Sequence, residues 1–171
     1  MKKFAHPERS KRSLIDINAA VQSTLDIARH EYAMVADTRT DFGDVPQIEC
    51  FAGELNQALL NIVINAAHAI SDVHAHTGVR GLIRVATRVV DDSVQIEIAD
   101  TGSGIPEIVR DRIFDPFFTT KEVGRGTGQG LAIARSVATQ HGGELSFDTK
   151  VGHGTTFVIR LPIVIESRSA A

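Results

Sequence analysis

Between Gly53 and Ser71 the sequence admits few structural solutions. Leu55, Leu59, Leu60, Ile62, Val63, Ile64 and Ile70 cover most of a helical circumference, which predicts a helix buried nearly all round. At about 100° per residue, Glu54, Gln57, Asn61, Asn65, His68 and Asp72 fall within an arc of about 80°. A polar stripe on an otherwise apolar helix must face water, a partner or a ligand, because an unpaired buried amide costs about 1–3 kcal/mol. A solvent-facing edge would be served equally well by lysines and glutamates. Two asparagines and a histidine fit that reading poorly, since Asn is a weak helix former. The side-chain carbonyl of Asn65 suits a hard cation such as Mg²⁺, which takes oxygen ligands.

A second feature lies further along. Gly124, Gly126, Gly128 and Gly130 alternate immediately before a segment, Leu131 to Gln140, that predicts a helix. Glycines so placed leave backbone N–H groups unshielded, and a bare-amide loop entering a helix N-terminus is an anion cradle. No lysine follows a glycine, so the loop is not of the Walker A kind, and the dinucleotide pattern G-x-G-x-x-G is out of register. Taken alone, such a loop fits either a phosphate site or a flexible linker.

The remaining segments predict a helix from Asp16 or Asn18 to about His30, and a strand from Val35 to Phe42 turned by Gly43 to Pro46. His74 to Gly78 reads as a loop. Leu82 to Val90 and Val94 to Ala99 read as a hairpin around Asp91, Asp92 and Ser93. Strands Glu144 to Asp148 and Thr156 to Leu161 follow, joined by a turn at Lys150 to Gly154. Long helices alternating with antiparallel hairpins predict an α/β sandwich, one mixed sheet with helices on one face.

The chain's 171 residues suffice for one domain. Residues 1–13 read as a linker remnant, 14–165 as the domain and 166–171 as a tail. A net charge of −3 gives no nucleic-acid footprint, and the cluster Lys2, Lys3, Arg9, Lys11 and Arg12 reads as a solvated leader. The single cysteine, Cys50, excludes a disulfide framework and a thiolate zinc cage, and fits a reducing, cytoplasmic setting. No apolar run is long enough to span a bilayer.

Three further motifs bear on chemistry. Asp100-Thr-Gly-Ser-Gly-Ile105 follows a strand, where a carboxylate can accept from a planar amino group and Gly102 and Gly104 can let a ring approach the backbone. Phe114, Phe117 and Phe118 sit in one segment before the glycine loop and read as an anchor on which that loop closes, with Lys121 available to neutralise phosphate. Gly152-His-Gly-Thr-Thr-Phe157 is a tight turn that presents Thr155.

In order, Asn61-x-x-x-Asn65-Ala, Asp100-x-Gly-x-Gly, Phe114-Asp-Pro-Phe-Phe, Gly126-Thr-Gly-x-Gly-Leu and Gly152-x-Gly-Thr-Thr-Phe resemble the N, G1, F, G2 and G3 boxes of the catalytic ATP-binding domain of bacterial sensor histidine kinases. That family belongs to the gyrase/histidine-kinase ATPase superfamily, and the match runs over roughly residues 14 to 165. The resemblance implies the Bergerat ATP-binding fold with a mobile lid, and ATP and Mg²⁺ as ligands. It implies Asn65 as the Mg²⁺ ligand, with Asn61 and His68 beside the triphosphate; His68 stands where the family more often has lysine or arginine. Asp100 would bind the adenine amine with Thr155 nearby, and Gly102, Gly104 and Ile105 would surround the base. Phe117, Thr119, Thr120, Lys121, Gly126, Thr127, Gly128, Gln129, Gly130 and Leu131 would enclose the nucleotide, the catalytic set being Asn61, Asn65, His68 and Lys121.

Hydrolytic members of the superfamily carry a glutamate four residues before the metal asparagine. Here that position is Asn61, which cannot take a proton. Phosphoryl transfer needs positioning and charge neutralisation above all, so the resemblance implies transfer to a histidine. The acceptor would stand on a separate dimerisation domain, and a response regulator would take the phosphoryl group onward. The isolated domain is expected to be monomeric, its parent a homodimer whose membrane attachment stays open. No acceptor motif beginning His-Glu precedes the domain, and His6 is followed by Pro7, which disfavours a helix. Two alternatives keep the same fold: a serine kinase of the anti-sigma-factor type, against which Asn61 and the Phe114–Thr120 segment speak, and a nucleotide-binding module without catalysis.

Overall fold

The computed structural model describes residues 11–120 and 128–164. Elements are numbered in chain order: β1 (Ser13–Ile15), α1 (Ile17–Ile27), α2 (Arg29–Tyr32), β2 (Ala36–Phe42), β3 (Ile48–Cys50), α3 (Ala52–His74), β4 (Gly81–Val90), β5 (Ser93–Asp100), a 3₁₀ turn (Glu107–Arg112), α4 (Gly130–Gln140), β6 (Glu144–Lys150) and β7 (Gly154–Pro162). Asp16 caps α1, its Oδ1 accepting from the Ala19 amide at 3.1 Å. The helix expected to reach His30 unbroken is divided at Ala28, where the amide turns back to the Thr24 and Asp26 carbonyls. His74, expected in a loop, is the last residue of α3.

Five strands form the main sheet in the order β2-β4-β5-β7-β6. Only β2 and β4 pair in parallel, which requires a crossover, and β3 with α3 supplies it. The other pairs are antiparallel, and β4 and β5 form the expected hairpin, with Asp91 at φ 52 in its two-residue turn. The sheet is therefore mixed. A separate two-stranded sheet joins β1 to β3, with Ser13 opposite Cys50.

Alternation along the strands decides which face is covered. Ile83 and Val85 of β4, Ile96 and Ile98 of β5, and Phe157, Ile159 and Leu161 of β7 are fully buried beneath α3, which brings Leu55, Leu59, Ile62 and Ile70 to the same core. Each such side chain contributes about 1.5–3 kcal/mol by leaving water. Helix α4 covers β6 and β7 beside α3. The opposite face is polar: Arg88 pairs with Glu97, and Gln95 links Glu97 to Arg160. Helices on one face and a polar second face make a two-layer α/β sandwich, as the pattern predicted. No described helix is long and apolar enough to cross a membrane.

Candidate functional site

Four of the six residues in the polar stripe of α3 line a cavity, whereas Glu54 and Gln57 lie outside it. Asn61, Ile64, Asn65, His68, Ala69 and Asp72 form the floor of a cavity of about 350 Å³, within the roughly 300–1,000 Å³ of small-molecule sites. Ser103, Gly104, Ile105 and Pro106 line one wall, with Val109 of the 3₁₀ turn and Ile113 beyond it. Phe118, Thr119 and Thr120 line another, and Gly128, Gly130 and Leu131 close the site at the start of α4. Across it, Asn61 Nδ2 donates to the Gly130 carbonyl at 3.2 Å.

The loop after β5 is sewn to α3 and to the β6–β7 turn. Ser103 N–H donates to the Ala69 carbonyl at 3.2 Å, and Gly152 N–H donates to the Ser103 carbonyl at 2.8 Å. A Cβ on Gly102 would stand 2.6 Å from the Ala69 carbonyl carbon. The clearance at Gly102 is thus used by the close approach of α3. Gly104 lines the cavity at φ +73, and a Cβ there would lie 2.5 Å from the Lys150 carbonyl oxygen.

Asp100 lies behind this wall, 7% exposed at the end of β5 and opposite Thr155 of β7. Its Oδ1 accepts from the Gly102 amide at 2.8 Å and the Thr155 amide at 3.4 Å. Burial pushes the carboxyl up to about 6, against the lowering pull of those two amides. Among the described residues it makes no ion pair. A buried carboxylate with no cation beside it costs free energy to ionise. Neither Asp100 nor Thr155, itself buried, reaches the lining of the cavity; the loop that Asp100 holds does.

The phenylalanine segment divides. Phe114 packs edge-on against Phe147 at 5.8 Å with Arg135 over its ring, and Phe118 lines the cavity under Arg112. Phe117 is 72% exposed at φ 66 and stands outside the lining, with Gly128 packed directly against its backbone. Expected contacts at Asn61, Asn65, His68, Gly104, Ile105, Thr119, Thr120, Gly128, Gly130 and Leu131 are gathered around the cavity. Gln129 caps α4 without lining it, while Lys121, Gly126 and Thr127 lie outside the described residues. Sequence patterning missed Ile64, Ala69, Ser103, Pro106, Val109 and Ile113, apolar or small residues that carry no chemical signature. Only the helical register could have drawn in Ile64 and Ala69, as neighbours of the stripe.

The donor set fits a nucleotide and a hard cation. Asn65 brings a neutral carboxamide oxygen to the cavity floor, and the N-terminus of α4 opens onto the same space, where bare amides favour phosphate. Among the described residues, no group of three or more histidines, cysteines or carboxylates is placed to hold a metal.

Residues 52–165 match the family model described as histidine kinase-, DNA gyrase B- and HSP90-like ATPase. The signal transduction histidine-protein kinase AtoS of Escherichia coli (strain K12) is 37% identical over 166 residues, covering 94% of this chain and 25% of its own length. The sensor kinase CckA of Brucella abortus (strain 2308) is 37% identical over 150 residues, covering 78% of this chain and 15% of its own length. The chain therefore spans a quarter or less of these two curated relatives. A nucleotide-free structure of the catalytic domain of histidine kinase ThkA superposes with a TM-score of 0.74 at 27% identity, covering 90% of this chain and 96% of that one. With the family model matched across most of the sandwich and the catalytic domain of a histidine kinase superposing on nearly all of it, the chain belongs to the histidine kinase-, DNA gyrase B- and HSP90-like ATPase family.

Proposed function

We propose that this chain is the ATP-binding catalytic domain of a sensor histidine kinase, delivering the γ-phosphoryl group of ATP to a histidine on a separate dimerisation domain. The observation that carries this reading is the convergence on one cavity of the Asn61–Asn65–His68 face of α3, the Ser103–Pro106 wall and the N-terminus of α4. The adenine ring lies toward the Ser103–Pro106 wall, with Asp100 behind it as the acceptor for the amino group. The phosphates lie toward Gly128 to Leu131.

Asn65 holds Mg²⁺, which neutralises phosphate charge when bound. Asn61 has no basic atom, so the side chain four residues before Asn65 orients without activating a water. Its bond to Gly130 ties the cavity floor to the start of α4. Ile105, Val109, Ile113 and Phe118 exclude water from the base end, which strengthens the polar contacts inside. These groups position and neutralise, which is what phosphoryl transfer requires of its enzyme.

The test is transfer. The chain is incubated with Mg²⁺-ATP and a purified histidine-bearing dimerisation domain, and the product's stability is read in acid and base. Acid-labile, base-stable phosphate on the second domain supports the reading. Acid-stable phosphate, or none on a competent acceptor, contradicts it.

A further inference from the structure

Strand β2 is an edge of the main sheet, pairing with β4 alone, and it borders a second cavity of about 340 Å³. Gly81 N–H donates to the Val35 carbonyl at 2.7 Å and Gly43 N–H to the Thr87 carbonyl at 2.9 Å, one at each end of the β2–β4 ladder. Along a strand, residues bonded to one neighbour alternate with residues whose N–H and C=O point the other way. Asp37, Arg39 and Asp41 therefore bond β4, while Ala36, Thr38 and Thr40 turn their backbone groups outward. Arg80 takes the first of these, its Nη2 donating to the Ala36 carbonyl at 2.7 Å. Thr38 and Thr40 keep outward groups with no backbone partner among the described residues. Both line the cavity, facing Gln22 and Asp26 of α1 and Arg29 of α2. Seven consecutive residues pair with β4 without a bulge, and β2 has no proline, so two common devices that blunt an edge are absent. Asp26 accepts from the Gln22 amide at 3.1 Å and Asp37 pairs with Arg80 at 2.9 Å. Arg29 makes no ion pair among the described residues.

We propose that this groove is a docking site for an extended, acidic peptide segment of a partner protein, which adds a strand to the β2 edge and sets a carboxylate against Arg29. The outward N–H and C=O groups of Thr38 and Thr40 repeat at strand spacing, which an extended backbone matches and a compact ligand does not. The charge in the lining that lacks a counter-ion or an amide partner is the Arg29 guanidinium, and a carboxylate is its planar complement. A second copy of the chain does not fit, because its own β2 edge lies at the base of the same groove and the two walls of α1 and α2 would collide first. None of these residues lines the nucleotide cavity, so the proposal stands apart from the nucleotide reading.

The experiment titrates the ¹⁵N-labelled chain with acetyl-Thr-Glu-Thr-Glu-Thr-amide and follows the backbone amide shifts. Saturable shifts confined to β2 and the Gln22–Arg29 wall are expected, with a dissociation constant of about 1 mM, the scale of a few backbone hydrogen bonds. The lysine counterpart of the peptide binds about tenfold more weakly, and a fully N-methylated peptide, which keeps the side chains and loses the donors, does not bind. Arg29→Glu reverses the preference between the glutamate and lysine peptides. Thr40→Pro removes one outward N–H at an edge, where proline is tolerated, and abolishes binding; should it prevent folding, Arg29→Glu and the methylated peptide decide alone. No saturable shift in wild type, shifts elsewhere, equal binding of the methylated peptide, or an unchanged preference in Arg29→Glu overturns the proposal. Shifts that depend on chain concentration without peptide overturn it in favour of a second copy. ADP titrated into the same samples reads the nucleotide site independently, so either reading can fail while the other holds.

Discussion

Asn61 and Gly130 are joined across the cavity by a 3.2 Å hydrogen bond from the side-chain amide to the backbone carbonyl. The bond connects the middle of α3 to the first residue of α4, two helices that also pack against each other. A Cβ on Gly130 would meet Asn61 Cβ at an ordinary 3.5 Å, so the two helices approach here without strain.

Asn61→Ala removes that tie. Loss of one part-buried hydrogen bond costs about 1 kcal/mol, which lowers the melting temperature of a chain this size by about 2–4 °C. Nucleotide affinity falls about tenfold, because the start of α4 loses its tie to the floor. Thermal unfolding and calorimetry read the two effects separately.

Asp100 imposes opposite pH trends on stability and binding. Its folded pKa, about 6, lies above the ordinary 3.8, so the folded state holds a proton that the unfolded chain has already released. The stability it contributes is full below about 3.8 and is lost as pH rises through about 6, by an amount on the order of 3 kcal/mol. On the proposed role of Asp100, binding runs the other way, because an ionised carboxylate is the stronger acceptor for an amino group. Asp100→Asn removes both trends: its stability advantage over wild type grows between about pH 4 and pH 7, while ATP affinity drops about ten- to a hundredfold. Melting curves and binding isotherms across that range check the signs.

Gly102 and Gly53 separate a packing glycine from a free one. Gly102→Ala pushes a Cβ to 2.6 Å from the backbone of Ala69, and costs about 1–3 kcal/mol through displacement of the loop. Gly53→Ala, in the first turn of α3 with nothing within 4 Å of its Cβ, stabilises the fold by up to about 1 kcal/mol. Denaturant midpoints moving in the same direction for both would contradict this assignment.

His141 anchors the far end of α4. Its Nδ1 contacts the Val137 carbonyl at 2.7 Å and its Nε2 accepts from the Phe51 amide at 3.0 Å, the pattern of a ring that carries a proton on Nδ1. Arg12 stacks over Phe51 and donates to the Gln140 carbonyl, so the entering chain is held at the same point. His141→Ala strands the Phe51 amide and opens a gap beside its ring, a loss of about 2–3 kcal/mol in chemical unfolding. Asparagine at the same position cannot fill the ring's volume and recovers only part of it.

How much of this was legible beforehand depended on length and periodicity. The turns of α3 carry their pattern plainly, and the arc from Asn61 to Asp72 proved to be the cavity floor. Strands β1 and β3 have three residues each, too few to show alternation, and were not foreseen. The break at Ala28 has neither glycine nor proline to announce it. Asp100 stands out in the sequence, but its burial depends on β7 arriving opposite it from 55 residues away. Phe117 was grouped with Phe114 and Phe118 by proximity alone, and its backbone at φ 66 and exposed ring set it apart from them.

Calorimetric titration of the chain with a non-hydrolysable ATP analogue, with and without Mg²⁺, for wild type and Asn65→Ala, tests whether the α3 stripe holds a metal-bound nucleotide. Saturable one-site binding that Mg²⁺ strengthens in wild type, with that gain lost in Asn65→Ala, is the expected result. No binding by wild type, or an equal Mg²⁺ gain in both proteins, would contradict it.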